Sequence, residues 1–224
     1  MAIRAVAPTP LHESLLRLGW DGGDRPPSLD VLNAHGRADV RSGSGAPVRF
    51  VDVSLAKPDV PAYEVGAWRD GEVLTRPGNW HDACNAAAWL AWPMSKQVLN
   101  DLHVRRMQQA AADAGRGTAR DVLTLFDEDG LVVACAEPSL AALLQDFRWR
   151  ELFWAQRQAV VAKMRFHVFG HALADKLRAP FRGLTAKALI LPVSPGELAL
   201  PLFEQVGLLD RRLAARLREP QSLA

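Results

Sequence analysis

The sequence is poor in cysteine. Cys84 and Cys135 are the only two cysteines among 224 residues, and neither stands in a Cys-x-x-Cys or other metal-ligand spacing. The sequence therefore predicts neither a disulfide framework nor a cysteine-based structural zinc site. Such sparse cysteine is typical of a reducing compartment, so we expect a cytoplasmic protein.

Long apolar runs are also absent. No segment approaches the roughly 18–20 consecutive apolar residues of a membrane span. His12, Glu13 and Arg17 interrupt the apolar character of the N-terminal segment. We therefore expect no signal peptide, no membrane-spanning helix and no membrane partner.

The chain has little excess charge of either sign. Its net charge of +2 does not indicate a nucleic-acid partner, and the partner remains unknown, with a small molecule or a protein both open. Hydrophobic residues make up 49% of the chain and charged residues 23%. This composition is typical of a folded protein with a real core.

Several common site motifs are missing. The sequence contains no Gly-x-Gly-x-x-Gly, no Gly-x-x-x-x-Gly-Lys-Ser/Thr and no Gly-x-Ser-x-Gly. The glycines of RSGSGAP, residues 41–47, lack the Lys-Ser/Thr tail of a phosphate-binding loop and precede a predicted strand. These absences argue against a dinucleotide site, a P-loop and a nucleophile elbow.

Hydrophobic periodicity predicts a mixture of helices and strands. We expect an α+β fold, with a hairpin-rich mixed or antiparallel sheet packed against several helices and an N-terminal helical arm. Residues 160–170 fit either a strand or a helix. The predicted strands are 48–53 and 184–193, with hairpins over 63–75, turning at Asp70-Gly71, and over 122–136, turning at Asp129-Gly130. The predicted helices begin at Thr9-Pro10 and Ser28 and continue over 80–91, 95–114, 139–158, 170–178 and from 195 onward.

We expect one domain over residues 1–224. It divides into an N-terminal helical arm and loop (1–47), a core (48–208) and a C-terminal helix end (209–224). The arm is too small to fold alone.

The segment Asn79–His103 carries polar residues inside two otherwise apolar helices. Asn79 is suited to cap the first helix, and Asp82 is placed to close that cap reciprocally. The cap does not account for His81 and Asn85, which lie one turn apart and face the same side.

The second helix of this segment follows a break at Pro93, and Lys96, Asn100 and His103 share one of its faces. If the two helices fold back on each other, their polar residues converge. Two interpretations stay open: a working site, or a buried amide and imidazole network that pins the helices together.

A second group of candidates lies later in the chain. His171 follows a glycine at a predicted helix start, four residues after His167, but Val168 stands where a zincin has glutamate. Asp127 lies in LTLFDEDG, where carboxylates could hold a divalent metal. We predict Asp127 and His171 as metal ligands and Lys176 or Lys187 as a group that stabilises developing negative charge.

The segments NWHDACNAAAWLAWPMSKQVLNDLH, LTLFDEDG, ELFW, FGHALADKL and GLTAKAL, in that order, resemble the bacterial family catalogued as domain of unknown function 3025. The resemblance extends from about Val48 to Leu191. It implies a soluble, single-domain bacterial protein and carries no established activity. It also implies that the polar positions belong to the family's motif blocks: His81, Asp82, Asn85, Asn100, His103, Asp127, Glu128, His171, Lys176 and Lys187.

Two functional hypotheses follow from these residues. The first is a metal-assisted hydrolase with a pocket lined by histidine, asparagine and aspartate, in which one imidazole acts as general base. The second is a non-catalytic binding or scaffold module whose polar residues form buried structural hydrogen bonds. The predicted catalytic residues are His81, Asn85, Asn100, His103, His171 and Lys176, with a divalent metal as the cofactor to test.

Overall fold

The computed structural model describes residues 25–34, 39–55, 63–112 and 118–219. The predicted helix that begins at Thr9-Pro10 lies outside these residues. The described α-helices are α1 (Leu29–Ala34), α2 (Tyr63–Asp70), α3 (Trp80–Ala91), α4 (Pro93–Ala112), α5 (Thr118–Asp129), α6 (Pro138–Gln145), α7 (Arg157–Lys163), α8 (His171–Lys176), α9 (Pro195–Leu198) and α10 (Leu202–Leu217). The strands are β1 (Arg49–Asp52), β2 (Glu72–Thr75), β3 (Gly130–Cys135), β4 (Met164–Val168) and β5 (Lys187–Pro192). A short 3₁₀ turn spans Val53–Leu55, and a π-helical turn spans Glu151–Ala155.

Helices and strands are mixed, and the α+β class is confirmed. The strands form two small sheets rather than one. β1 and β2 pair in parallel, with Arg49 opposite Glu72 and Asp52 opposite Thr75. In the second sheet β3 is central, antiparallel to β4 and parallel to β5.

Both predicted hairpins are wrong. Tyr63–Asp70 is helix α2, and it connects β1 to a parallel β2. Thr118–Asp129 is helix α5, whose last residue is followed directly by β3. The stretch LTLF alternates like a strand, but Leu123 and Phe126, three residues apart, are its buried members. That spacing is helical, and the Asp129-Gly130 pair marks a helix-to-strand junction rather than a turn.

Other element predictions agree more closely with the structure. Helix α3 occupies the predicted range, α4 begins at Pro93, and Trp92 is the one residue between them. The predicted helix over 139–158 is divided into α6, the π-helical turn and α7. The ambiguous segment is also divided, because α7 ends at Lys163 and β4 begins at Met164.

The larger core lies between the three-stranded sheet and helices α3, α4, α5, α8 and α10. At its centre Phe169 stacks on Phe126 with ring centroids 4.9 Å apart and meets the edge of Trp92 at 5.7 Å. A smaller apolar cluster fills the other side of the sheet beneath α6, the π-helical turn and α7. Helix α8 packs against both α3 and α5.

Candidate functional site

A cleft of about 550 Å³ opens where α2, α3, α4, α5 and α8 meet. Three histidines and four carboxylates are among its lining residues. The polar lining residues are Tyr63, Glu64, Arg76, His81, Asp82, Asn85, His103, Thr124, Asp127, Glu128 and His171.

Three side chains in this cleft form a compact group that could bind a metal ion. His81, Glu128 and His171 each offer one ligand atom, and all these atoms lie within 4.8 Å of one another. The rings of His81 and His171 meet edge to face, with centroids 4.6 Å apart. We call these three residues the His81–Glu128–His171 cluster.

One distance within the cluster matches the separation of two ligands on a small divalent cation. His171 Nε2 lies 3.5 Å from Glu128 Oε2. Two ligands bound to one zinc ion at about 2.1 Å, with a tetrahedral angle, lie about 3.4 Å apart. Two imidazoles and one carboxylate leave a fourth position for water or substrate, as catalytic zinc sites do.

The backbone explains why His171 reaches Glu128. The N–H groups of Phe169 and Gly170 both donate to the Gly130 carbonyl, at 3.0 and 2.8 Å. A Cβ atom on Gly170 would lie 2.3 Å from the Glu128 carbonyl oxygen, so only glycine permits this approach. The start of α8 is therefore seated directly on the junction between α5 and β3.

A buried ion pair lies behind the cluster. Lys96 Nζ is 2.6 Å from Asp127 Oδ1 and also donates to Asn85 Oδ1 at 3.1 Å. The Asn85 amide in turn donates to the Tyr63 hydroxyl oxygen at 2.6 Å. These contacts form one continuous polar chain from α2 through α3 and α4 to α5.

Burial and charge set the ionisation of this chain. Burial opposes ionisation of Asp127, but Lys96 together with the neighbouring histidines His171 and His103 outweighs it, and the pKa of that carboxyl lies below its ordinary value. Burial raises the pKa of Glu128, and His81 acts in the opposite direction. Burial also raises the pKa of Tyr63, which therefore stays a phenol.

Burial keeps two histidines of the cleft, His103 and His171, neutral at physiological pH. Burial lowers the pKa of His171 to about 4, against the opposing effect of Asp127. Burial likewise lowers the pKa of His103, while the carboxylates of Glu64 and Asp127 act to raise it. Neutral imidazole is the form that binds a metal or accepts a proton.

Asn79 caps α3 as predicted, since its side chain accepts a hydrogen bond from the Asp82 N–H at 3.1 Å. The reciprocal capping role predicted for Asp82 is not observed. Its carboxylate instead receives the Arg76 guanidinium at 2.8 and 2.9 Å and the Arg76 N–H at 2.7 Å. Asp82 thus ties the start of α3 to the end of β2.

The predicted site residues divide into two groups. His81, Asn85, His103, Asp127 and His171 line the cleft. Asp127 does not belong to the metal-ligand cluster found among the described residues, where Glu128 takes the carboxylate position.

Asn100 and Lys176 lie outside the cleft lining. The Asn100 amide donates to the Glu64 carboxylate at 2.9 Å, and its oxygen accepts from the Gly43 N–H at 3.0 Å. Lys176 pairs with Asp129 at 2.6 Å. Asn100 therefore supports a lining residue, and Lys176 braces α8 against α5.

The remaining candidates are separate from the cleft. His167 is buried on β4, where burial lowers its pKa to about 4 against the opposing effect of Gln205. His167 and His171 lie on different elements, a strand and a helix, so they form no helical metal-binding pair. Lys187 is exposed at the start of β5.

Sequence reasoning did not select four residues of this region as catalytic residues or metal ligands: Tyr63, Glu64, Lys96 and Glu128. Tyr63 and Glu64 were hidden by the incorrect hairpin, which placed them on a strand. The sequence did indicate a role for Lys96, because a lysine beside the apolar stripe of a helix is partly buried and needs a partner of opposite charge. Glu128 was noted among the carboxylates of the DED run that could hold a metal, but Asp127 was chosen as the ligand.

The fold and the cleft define an α+β protein with a polar cleft that contains two histidines and a carboxylate within metal-binding distance. No helix in the described ranges is long and apolar enough to cross a membrane. Residues 48–224 match the model of the family described as "Protein of unknown function (DUF3025)", and the chain belongs to that family. Neither a curated protein nor a solved structure matches the chain.

Proposed function

We propose that the protein is a metal-dependent hydrolase whose ion is held by His81, Glu128 and His171. The observation that carries the proposal is the convergence of their three ligand atoms within 4.8 Å inside a cleft. A bound divalent cation would supply Lewis acidity and lower the pKa of water to near neutrality.

The surrounding residues support hydrolysis of a neutral acyl compound. Arg76 is paired with Asp82, and Lys96 with Asp127, so neither cation is available for a phosphate group. Water would add across the acyl bond, with its oxygen joining the carbonyl carbon. The proton would pass to neutral His103 and then to the leaving group as its bond to carbon breaks.

Metal binding is the first test. Purified protein is stripped with a chelator and titrated with Zn²⁺, Mn²⁺ and Fe²⁺ in competition with a chromophoric chelator. We expect one tight site for at least one ion, lost in His81→Ala and Glu128→Gln. His103→Ala and Glu64→Gln are matched controls, because both residues line the same cleft outside the cluster.

Hydrolysis is the second test. A panel of neutral ester and amide substrates is assayed with the metal-loaded protein. We expect turnover that disappears on chelation, and a large loss of kcat in His103→Gln with metal affinity unchanged. Folded wild-type protein that binds none of the three ions would overturn the proposal, as would turnover that survives complete metal removal.

A second candidate function is a binding module, favoured by an aromatic surface that does not belong to the cleft lining. Phe147, Trp149, Phe153 and Phe166 form a row of rings with successive centroids 5.4, 6.1 and 6.1 Å apart. Their exposed fractions are 71%, 49%, 46% and 36%. Phe147 also holds a φ of 56°, a conformation that non-glycine residues adopt at a cost.

We propose a second copy of the chain as the partner of this aromatic surface. The rings expose about 400 Å² in all, taking 150–250 Å² for each aromatic side chain. A symmetric contact would bury about 800 Å² in total, within the range of a weak dimer. Sedimentation velocity should show concentration-dependent dimerisation that Trp149→Ser abolishes and Val161→Ser, at another exposed apolar residue, does not. A wild-type protein that stays monomeric at high concentration contradicts this candidate.

A further inference from the structure

We propose that Asp127, anchored by Lys96, is a positioning residue that fixes the ring of His171 with Nε2 facing the His81–Glu128–His171 cluster. This inference rests on the proposed metal site and goes beyond it, because it assigns a role to Asp127, a carboxylate that is not one of the metal ligands.

The two ring nitrogens of His171 face two different carboxylates. Nε2 lies 3.5 Å from Glu128 Oε2, and Nδ1 lies 3.8 Å from Asp127 Oδ2. Nδ1 is buried and has no hydrogen-bond partner among the described residues. A closer approach of about 0.8 Å would bring Asp127 within the usual range for an N–H donor. Asp127 is thus the acceptor that this otherwise unsatisfied nitrogen faces.

Asp127 is itself oriented by the rest of the polar chain. Its Oδ1 accepts from Lys96 Nζ at 2.6 Å, which leaves Oδ2 for the imidazole. Lys96 is fixed in turn by Asn85 and by the ring of Trp89, whose centroid lies 5.4 Å from Nζ. The carboxylate therefore has little freedom to turn toward the cluster and act as a ligand.

This arrangement has a known chemical effect. A histidine that donates its second N–H to a carboxylate is locked in one tautomer and becomes a more basic ligand through the other nitrogen. Removing such a partner typically costs 10- to 100-fold in metal affinity. A residue that only braced the fold would alter stability without selecting a tautomer.

The test measures Zn²⁺ affinity and the His171 tautomer on the full chain. We expect Asp127→Asn to keep one zinc per chain with an affinity 10- to 100-fold lower. ¹⁵N NMR of the metal-free protein should show His171 protonated at Nδ1 in the wild type and a mixture of tautomers in the variant. Glu137→Gln is the matched control, because Glu137 also pairs with one lysine, Lys163, but on the surface.

A second variant covers the case in which Asp127→Asn fails to fold. Lys96→Met combined with Asp127→Asn removes both charges, so no buried ammonium is left without a carboxylate. This double variant should also show weaker zinc binding and mixed tautomers. Wild-type affinity and a single Nδ1–H tautomer in either folded variant would overturn the positioning role.

The outcomes separate this inference from the proposed function. If the wild type binds no metal, the hydrolase proposal fails, and the positioning role fails with it. If the wild type binds zinc and His171→Ala does not, while Asp127→Asn binds zinc normally, the metal site stands and only the positioning role is rejected.

Discussion

The ammonium nitrogen of Lys96 lies 2.6 Å from Asp127 Oδ1, and the two side chains are only 5% and 13% exposed. This contact joins helix α4, which carries Lys96, to helix α5, which carries Asp127. A buried pair of this kind is costly to break, because the partner left behind is a charge without compensation.

Lys96→Met should therefore destabilise the protein by about 3–5 kcal/mol. Urea unfolding measures the loss. Adding Asp127→Asn to Lys96→Met should restore part of the stability, because the isolated carboxylate is then gone. Strictly additive losses in this double-mutant cycle would show that the two side chains are not coupled.

Gly170→Ala should destabilise the protein by more than about 2 kcal/mol. The new Cβ would lie 2.3 Å from the Glu128 carbonyl oxygen and 2.4 Å from the Gly130 nitrogen, both backbone atoms. Gly66→Ala is the control, because a Cβ there meets nothing within 4 Å. Since Gly66 lies inside helix α2, that substitution should stabilise by about 0.5–1 kcal/mol. Equal melting temperatures for the two variants would contradict the close approach seen at Gly170.

Acid should weaken the fold between pH 6.5 and 4. Burial lowers the pKa of both His167 and His171 from 6.5 to about 4. Between these two pH values the unfolded chain therefore binds protons at these histidines and the folded chain does not. The contribution of these two neutral histidines to the free energy of unfolding is therefore fully present above pH 6.5 and is lost as the pH drops toward 4. Each histidine accounts for roughly 3 kcal/mol over this range.

The variant His167→Gln isolates one of these two histidines, because His167 lies outside the cleft. We expect its stability to fall less steeply with pH than that of the wild type. The measurement is the free energy of unfolding in urea at half-unit intervals. A variant curve parallel to that of the wild type would show that His167 is protonated equally in both states.

Zinc should raise the melting temperature of the wild type. An ion present at 100 times its Kd stabilises the folded state by about 2.7 kcal/mol. His81→Ala and Glu128→Gln should melt at the same temperature with and without the ion, while Glu64→Gln should respond as the wild type does. An equal zinc response in all four proteins would place the ion somewhere else.

Part of the helical structure was predictable from the sequence, although helices α2 and α5 were not. Helices α3 and α4 were predicted closely because a nearly all-apolar helix, a capping asparagine and Pro93 are strong local signals. Strands β1 and β5 were also predicted. The sheet arrangement was not, because nothing local distinguishes a parallel pair linked by the short helix α2 from a hairpin with a turn at Asp70-Gly71.

The site was predictable in part for the same reason. His81, Asn85 and His103 were found from helical spacing alone, and all three line the cleft. Glu128 could not be ranked above Asp127, because assigning the DED run to a turn removed the helical geometry that turns the two side chains differently. Once α5 is recognised, one carboxylate faces Lys96 and the other faces the histidines.

Helix α5 ends at Asp129 and strand β3 begins at Gly130, so no loop residue lies between them. An extra residue inserted between Glu128 and Asp129 would rotate Glu128 and the rest of α5 by about 100° relative to the sheet. Glu128 would then turn away from His171, whose own position follows the sheet. We therefore expect insertions and deletions to be tolerated in the surface connections of this protein. At this junction they should disrupt the cluster, because the length of the chain here sets the rotation of helix α5 relative to strand β3.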